Sequence, residues 1–282
     1  MIHASSSFQV FVSGSKIVSF TSDNILKYIT LTVIVIFIAI FTSPLLVLWR
    51  RGFNVGEIHL DYLVESFVLS FTTSLLSTLL IFLLSVPVAF TLANLMRGSL
   101  KRIIETVIMI PVIVSPSAVG SVLLLFLVIN PAGSVFNELI GLLNDPKGIV
   151  AAQFLIGYPV AVSLYTVLFL NVPRVYEEVA LEAGLSRLEY LYRVLLPMTK
   201  SQVISGLVLV YARVFADFGA SLIVGGGIKG KTWTFPIYIY MTTQYGDLVM
   251  LSVALLLYII IAVIVLYTLY TAREFASSIV RM

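Results

Sequence analysis

The chain has 282 residues, of which 60% are hydrophobic and only 11% are charged, and its formal net charge is +3. Because soluble domains carry about 25% charged residues, this composition predicts a membrane protein, and the small, scattered positive charge indicates topology rather than a nucleic-acid surface. The sequence has no cysteine and only two histidines, His3 and His59, which excludes disulfides and thiolate chemistry and argues against a metal centre.

Six stretches reach the length of about 20 mostly apolar residues that a transmembrane helix needs. They predict an all-α, polytopic membrane protein whose spans cover residues 28–49, 64–95, 103–129, 149–170, 203–224 and 248–271. The serine-rich residues 1–27 lack the basic start and short apolar core of a signal peptide, so we interpret them as a tail with a short surface helix. Residues 28–272 then form the transmembrane domain, and residues 273–282 form a second tail.

Basic residues predict the orientation, because Lys and Arg gather on the cytoplasmic side of a membrane. The first tail, the loops after spans two and four, and the end of the chain hold Lys16, Lys27, Arg97, Lys101, Arg102, Arg174, Arg187, Arg193, Lys200, Arg273 and Arg281. The opposite loops hold only Arg50, Arg51, Lys147, Lys229 and Lys231. The counts predict a multi-pass protein of the cell membrane, embedded in lipid, with both termini in the cytoplasm.

Span three contains the segment PVIVSPSAVG, with Pro111, Pro116 and Gly120. Prolines in a membrane helix leave backbone carbonyls that neighbouring groups or water must satisfy. Two interpretations stay open: a kinked helix that only packs, or a helix that lines a pathway and uses its backbone polarity there. In the second case Ser115, Pro116 and Ser117 are candidate pathway residues.

The loop after span four, residues 172–198, has the signals of two short helices. Pro173 suits the first turn of a helix, and Gly184 suits the left-handed position that ends one. Ser186 and Glu189 form a capping box that begins a second amphipathic helix, and Pro197 ends it. The pattern predicts two helices joined by a tight glycine turn on the cytoplasmic face.

Span five carries two charged residues, Arg213 and Asp217. Residues four apart in a helix share one face, and charges inside a membrane are costly and commonly functional. Either the two side chains neutralise each other or they contact what passes through. Asp217 would repel an anion, which favours the neutral pair.

The segment GGGIKGKT, residues 225–232, fits the phosphate-binding pattern G-x-x-x-x-G-K-[ST]. That pattern works between a buried strand and a helix N-terminus. Here a membrane span precedes it, and Pro236 is expected to break an outgoing helix. We therefore interpret the segment as a turn on the external side, with Lys229 and Lys231 exposed and able to help receive an anion or the partner that delivers one.

The loop 172–198 resembles a pattern of the permease subunits of ABC importers, E-A-A-x3-G-x9-I-x-L-P. The matching residues are Glu178, Val179, Ala180, Gly184, Val194, Leu196 and Pro197, with valine in place of the first alanine and of the isoleucine. The resemblance implies that Glu178, Ala180, Gly184, Leu196 and Pro197 belong to coupling helices, which dock on two separate ATP-binding subunits. The chain itself would then be no enzyme and would need no cofactor.

Two further segments resemble the branch of this family that carries molybdate, tungstate and sulfate. One is PVIVSPSAVG; the other, residues 212–240, matches at Arg213, Asp217, Phe218, Gly219, Ala220, Gly230, Lys231, Thr232, Thr234, Pro236 and Tyr240, but has Gly227 and Lys229 where Asn and Pro are usual. Spans three and five would then line the pathway, with Gly219 and Ser221 as further candidate residues, and the outer half of span five with its loop would form the gate.

The resemblance predicts the membrane subunit of an oxyanion importer, most closely one for molybdate or tungstate. Its partners would be a second copy of the chain, two ATP-binding subunits and an external solute-binding protein. The same architecture for sulfate, iron, thiamine or phosphate stays open. A channel or membrane anchor that works without ATP is also open, but it would leave the coupling pattern unexplained.

Overall fold

A computed structural model describes the backbone of residues 6–51 and 60–280, and the side chains of residues 27–50, 61–268 and 271. All regular structure in these residues is helical, which confirms the all-α prediction. The helices are α1 (Ser6–Arg51), α2 (Leu60–Phe90), α3 (Gly98–Ile113), α4 (Pro116–Ile129), α5 (Pro131–Ile140), α6 (Pro146–Leu170), α7 (Val175–Glu182), α8 (Arg187–Tyr190), α9 (Leu196–Met198), α10 (Lys200–Phe215), α11 (Gly219–Gly225), α12 (Phe235–Gln244) and α13 (Leu248–Val280). Two π-helical segments, Thr91–Leu95 and Leu191–Leu195, extend α2 and α8.

Four continuous stretches are long and apolar enough to cross a membrane, and they correspond to the predicted spans one, two, four and six. They are Lys27–Arg50, Asp61–Leu95, Pro146–Leu170 and Leu248–Thr268. Two more qualify only as bent pairs: α3 with α4, at 110°, and Arg187–Met198 with α10, at 84°. The described part of the chain therefore has four to six spans, and spans three and five are not the continuous helices that we predicted.

Span three turns a corner between α3 and α4. The residue before a proline is driven into extended backbone, and Ser115, which precedes Pro116, has ψ of 145°. Its hydroxyl accepts a hydrogen bond from the Ala118 amide at 3.3 Å and so caps the new helix. Proline and cap together make the break a defined corner rather than a mild kink.

Span five breaks between α10 and α11. The Asp217 carboxylate accepts hydrogen bonds from the amide of Ser221 at 2.9 Å and from its hydroxyl at 2.7 Å. A side-chain acceptor of this kind replaces a helical carbonyl and stabilises a new helix start. The prediction that Arg213 and Asp217 share one helical face is wrong, because the helix ends at Phe215, between them.

The backbone of both predicted tails is helical where the structure describes it. Helix α1 runs unbroken from Ser6 into span one, so the short surface helix that we predicted for residues 1–27 is instead part of a longer helix. Helix α13 likewise continues through Val280. The side of the membrane on which these ends lie stays a prediction.

Helix α6 is the centre of the packing and contacts α2, α3, α4, α10 and α11. Its Gln153 bonds two serines of α2: Ser77 donates to the amide oxygen at 2.9 Å, and the amide nitrogen donates to Ser74 at 3.2 Å. Gly157 allows Ile81 and Val214 to approach from either side, since a Cβ there would lie 2.6 Å from both. Small and polar residues thus bring three helices close together, as is usual between membrane helices.

The two ends of α6 define two ends of the molecule, about 37 Å apart for its 25 residues. One end, the glycine-loop end, carries residues 225–232. The other carries residues 172–198, and we call it the coupling-loop end after the role predicted for those residues. Helix α2 connects the same two ends, with Tyr62 beside Lys229 and Asn94 beside Glu177.

Candidate functional site

The loop 172–198 folds as two short helices around a glycine turn, as predicted. Gly184 has φ of +85°, and the Leu185 amide donates to the Ala180 carbonyl at 3.1 Å, closing α7. Ser186 and Glu189 form the predicted capping box. Hydrogen bonds from the amide and hydroxyl of Ser186 lower the pKa of Glu189, so the carboxylate holds the start of α8 in its charged form.

The loop is attached to the membrane helices through Glu177, which the sequence analysis did not single out. Its carboxylate, only 13% exposed, accepts a hydrogen bond from Asn94 at 2.8 Å and lies 4.0 Å from the Arg187 guanidinium. Tyr190 is buried beside Phe90, with ring centroids 6.2 Å apart. The sequence showed a row of acidic residues in α7 but gave no sign of which one turns inward.

The outer surface of the loop is apolar and uncovered within this chain. Val175 is 62% exposed, Val179 57% and Leu188 65%, whereas Ala180 is buried against the membrane helices. Glu178 is exposed, and no ion pair or side-chain hydrogen bond to it is found among the described residues. We refer to Val175, Val179, Leu188 and Glu178 as the loop surface.

Pro197 does not end the second helix, contrary to the prediction. The helix passes through the π-helical segment Leu191–Leu195 and ends one residue after the proline, at Met198. The Thr199 hydroxyl donates to the Leu195 carbonyl at 2.7 Å, and α10 leaves at 84°. Leu196 and Pro197 thus stand at the corner where the loop joins span five.

The two broken spans meet through the half-helices α4 and α11. A Cβ on Gly120 would lie 2.7 Å from the Cα of Ala220, and a Cβ on Gly219 would lie 2.8 Å from the Ser117 amide nitrogen. Only glycine, which has no Cβ, lets the two helix backbones come this close. The corners of spans three and five are therefore side by side.

The seven residues predicted for the pathway separate into two sets. Ser115, Ser117 and Arg213 are exposed, whereas Asp217, Gly219 and Ser221 are buried and Pro116 is half-buried. Asp217 is 2% exposed and bonded to Ser221. No ion pair between Arg213 and Asp217 is among the contacts of the described residues, so the neutral pair that we favoured is not formed at close range.

The glycine loop has no nucleotide-binding context among the described residues: helix α11 precedes it, and no strand is present. The Thr232 hydroxyl, which would bind a cation in a phosphate-binding loop, instead accepts the Ile228 amide at 2.7 Å. No helix leaves the segment at Thr232, as the position of Pro236 predicted; α12 begins only at Phe235, with Pro236 in its first turn, where proline is tolerated.

Both lysines of the loop are exposed, but each has a neighbour. Lys229 lies over the ring of Tyr62, 4.2 Å from its centroid. Lys231 Nζ lies 3.3 Å from Asp145 Oδ2. Burial raises the pKa of Asp145, but the Lys147 amide and the Lys231 ammonium more than offset it, and the net shift is downward. Within the described residues no cluster could hold a metal; His3 and His59 lie outside them.

A helical membrane protein with two broken spans and an exposed helical loop has counterparts among solved structures. The chain superposes on a chain of a bacterial alginate ABC transporter bound to its periplasmic protein, with a TM-score of 0.68, 16% identity, and coverage of 93% of this chain and 96% of the other. A second structure, a bacterial ABC transporter that imports alginate, gives a TM-score of 0.65 at 18% identity and covers 94% and 99%. These likenesses show the fold.

Residues 82–275 match the family of binding-protein-dependent transport system inner membrane components, and the chain belongs to that family. Similar proteins include the probable transport system permease protein NifC of Clostridium pasteurianum, 28% identical over 88% of this chain and 87% of that protein. The molybdenum transport system permease protein ModB of Mycobacterium tuberculosis is 32% identical over 71% and 76%. The molybdate/tungstate permease protein WtpB of Pyrococcus abyssi is 30% identical over 71% and 73%.

Proposed function

We propose that the protein is the membrane subunit of an ATP-driven importer that moves an oxyanion, molybdate or tungstate, into the cytoplasm. The observation that carries the substrate is that relatives named for molybdenum or for molybdate and tungstate cover about seven-tenths of the chain at 30–32% identity. Membership of the binding-protein-dependent transport family supports an importer that receives its anion from a binding protein. ATP hydrolysis then belongs to separate subunits.

The loop surface is the part of the chain best suited to meet those subunits. It presents uncovered apolar side chains beside the exposed carboxylate of Glu178, so it can bury apolar area and meet one basic group. Ala180 fixes α7 from beneath, Gly184 sets the angle between the helices, and Leu196 with Pro197 forms the joint to span five. Movement of an ATP-binding subunit would reach α10 through this joint.

Two copies of the chain would enclose the pathway, and we assign its wall to the exposed residues Ser115, Ser117 and Arg213. Hydroxyls and a guanidinium suit a tetrahedral oxyanion, and an exposed arginine inside a span is costly unless it faces water or a partner. The buried residues Asp217, Gly219 and Ser221 support this wall indirectly, because they hold the break between α10 and α11 in its conformation. Asp217 therefore need not repel the anion.

The orientation follows from the basic residues, with both termini and the coupling-loop end in the cytoplasm. The glycine-loop end then faces the external binding protein. Basic residues assigned to opposite sides lie at opposite ends of α6: Lys147, assigned to the outside, is at its start, and Arg174 and Arg187, assigned to the cytoplasm, follow its end. This separation supports the assignment of sides without fixing which side is outside.

Reconstitution of the complete complex in vesicles tests the proposal. The chain, its ATP-binding subunits and its binding protein are assembled with ATP on the cytoplasmic side, and uptake of molybdate, tungstate, sulfate, phosphate, iron and thiamine is measured. We expect uptake of molybdate or tungstate that requires ATP and the binding protein. Uptake of sulfate, phosphate, iron or thiamine alone would reject the substrate but keep the importer, and uptake without ATP would reject the importer.

A further inference from the structure

The segment GGGIKGKT has no role in the function proposed so far, yet it makes specific contacts with the turn between α5 and α6, residues 141–145. The amide of Asn144 donates to the carbonyl of Val224, in α11, at 3.0 Å. Gly226 has φ of +74°, and a Cβ there would lie 2.1 Å from Asn144 Oδ1. Gly226 therefore allows the two turns to meet, where a larger residue would force them apart.

An ion pair lies across the same contact. Lys231 Nζ is 3.3 Å from Asp145 Oδ2, and both side chains are partly open to solvent. The other carboxylate oxygen of Asp145 accepts the Lys147 amide at 3.2 Å and caps α6. The pair thus joins the glycine loop directly to the start of the central helix.

Each of the two turns is stiffened from within. Thr232 accepts the Ile228 amide, and the Trp233 indole donates to the Gly227 carbonyl at 2.8 Å. On the other side Asn137 accepts the amides of Leu142 and Leu143, at 3.0 and 3.1 Å. The turns also meet through buried apolar packing, since Leu142 and Val224 belong to one cluster, so separating them would expose these two side chains but would not require either turn to unfold.

These contacts hold one end of α11, the half-helix whose other end packs on Ser117. At the Ser117 end, α11 is held by tight, buried packing of Gly219 against the backbone of Ser117. At the Val224 end the packing is buried as well, but an exposed ion pair, which is weak and readily exchanged for water, is added to it. The ion pair is therefore the contact of α11 that breaks at the lowest cost.

We infer that Lys231 and Asp145 are positioning residues that latch the outer end of α11 in the closed position and separate in each transport cycle. The inference rests on the proposed function, because it assigns the glycine-loop end to the external side. It gives GGGIKGKT a mechanical role in gating.

Two single variants test the latch without reference to any anion. Asp145→Asn keeps a capping oxygen for α6 but removes the charge, and Lys231→Met keeps the length of the side chain but removes the ammonium. We expect each to raise ATP hydrolysis by the assembled complex in the absence of binding protein by about two- to fivefold, the factor by which loss of an exposed pair shifts an equilibrium. Glu138→Gln, which removes an exposed carboxylate of α5 that has no ion pair among the described residues, should leave this basal rate unchanged.

A reversible cross-link then tests whether the latch must open. The chain has no cysteine, so Asp145→Cys with Lys231→Cys introduces the only two thiols in it, and a bifunctional thiol reagent with a reducible centre joins them. We expect the joined complex to lose anion uptake and stimulated ATP hydrolysis, and to regain both on reduction. Normal rates in the joined complex, or unchanged basal rates in both single variants, would overturn the latch. Failure of the wild-type complex to carry any oxyanion would instead reject the proposed substrate and leave the basal-rate test valid.

Discussion

Glu177 and Asn94 are 83 residues apart in the chain, yet a hydrogen bond of 2.8 Å joins them and ties the coupling loop to the end of α2. Glu178, the next residue, points to solvent. The two neighbouring carboxylates therefore face opposite directions, Glu177 toward the membrane helices and Glu178 toward solvent.

Glu177→Ala should weaken both the fold of the loop and its response. The change leaves the Asn94 amide without its acceptor in a partly buried place, at a cost of about 1–3 kcal/mol. We expect a lower melting temperature for the purified chain and reduced ATP hydrolysis on addition of loaded binding protein. Glu177→Gln keeps an acceptor oxygen and should retain most of both. Equal behaviour of the Ala, Gln and wild-type proteins would show that this bond does not position the loop.

Gly184→Val should uncouple transport without removing the chain from the membrane. Its φ of +85° strains a β-branched residue by about 1–2 kcal/mol or more, although a Cβ at that position would meet no atom of the described residues within 4 Å other than those of its chain neighbours. Gly98→Val is a matched control, since Gly98 has φ of +77° and equally open surroundings outside the loop 172–198. We expect binding-protein affinity to be unchanged in both variants, and anion uptake with stimulated ATP hydrolysis to fall only for Gly184→Val. Equal losses in both would point to strain in general rather than to coupling.

Labelling of single cysteines should show the orientation. Lys229→Cys, Lys231→Cys and Arg187→Cys place one thiol each in a chain that has none. An impermeant thiol reagent added to intact cells should label positions 229 and 231 and spare position 187, which should react only after the cells are opened. Labelling of position 187 in intact cells, with positions 229 and 231 protected, would show the opposite topology and would contradict the proposed importer function.

The latch should be insensitive to mild acidification of the external medium. Because the folded-state pKa of Asp145 lies below its ordinary value of 3.8, the charged form of this residue stabilises the fold above that value and is lost only as the pH falls through the lowered pKa. Basal ATP hydrolysis should therefore stay flat as the external pH is lowered from about 7 to about 5. The charged neighbours that set this behaviour are Lys147 and Lys231. A rise in wild-type activity centred within this window, absent from Asp145→Asn, would contradict the assignment.

The sequence by itself determined the class of the protein and the form of its coupling loop. The apolar stretches that required a membrane, the capping box at Ser186 and Glu189, and the left-handed Gly184 are all consequences of neighbouring residues. Local rules decide such features, since a cap or a glycine turn is satisfied within a few residues of the chain. The same rules marked Pro116 as a disturbance in span three, but they could not give the angle of the corner.

Tertiary structure alone decided which polar residues meet. Arg213 and Asp217 were expected to pair along a helix, but the helix breaks between them, because Ser221 supplies the hydrogen bonds that hold Asp217 inside. The partners of Glu177 and Lys231 lie in other helices and turns, at Asn94 and Asp145. Such contacts depend on how α2, α6 and α11 pack, and a buried polar group takes whichever partner that packing brings within reach. The glycine segment 225–232, which resembles a nucleotide site in sequence, thus contacts the turn 141–145 in the structure.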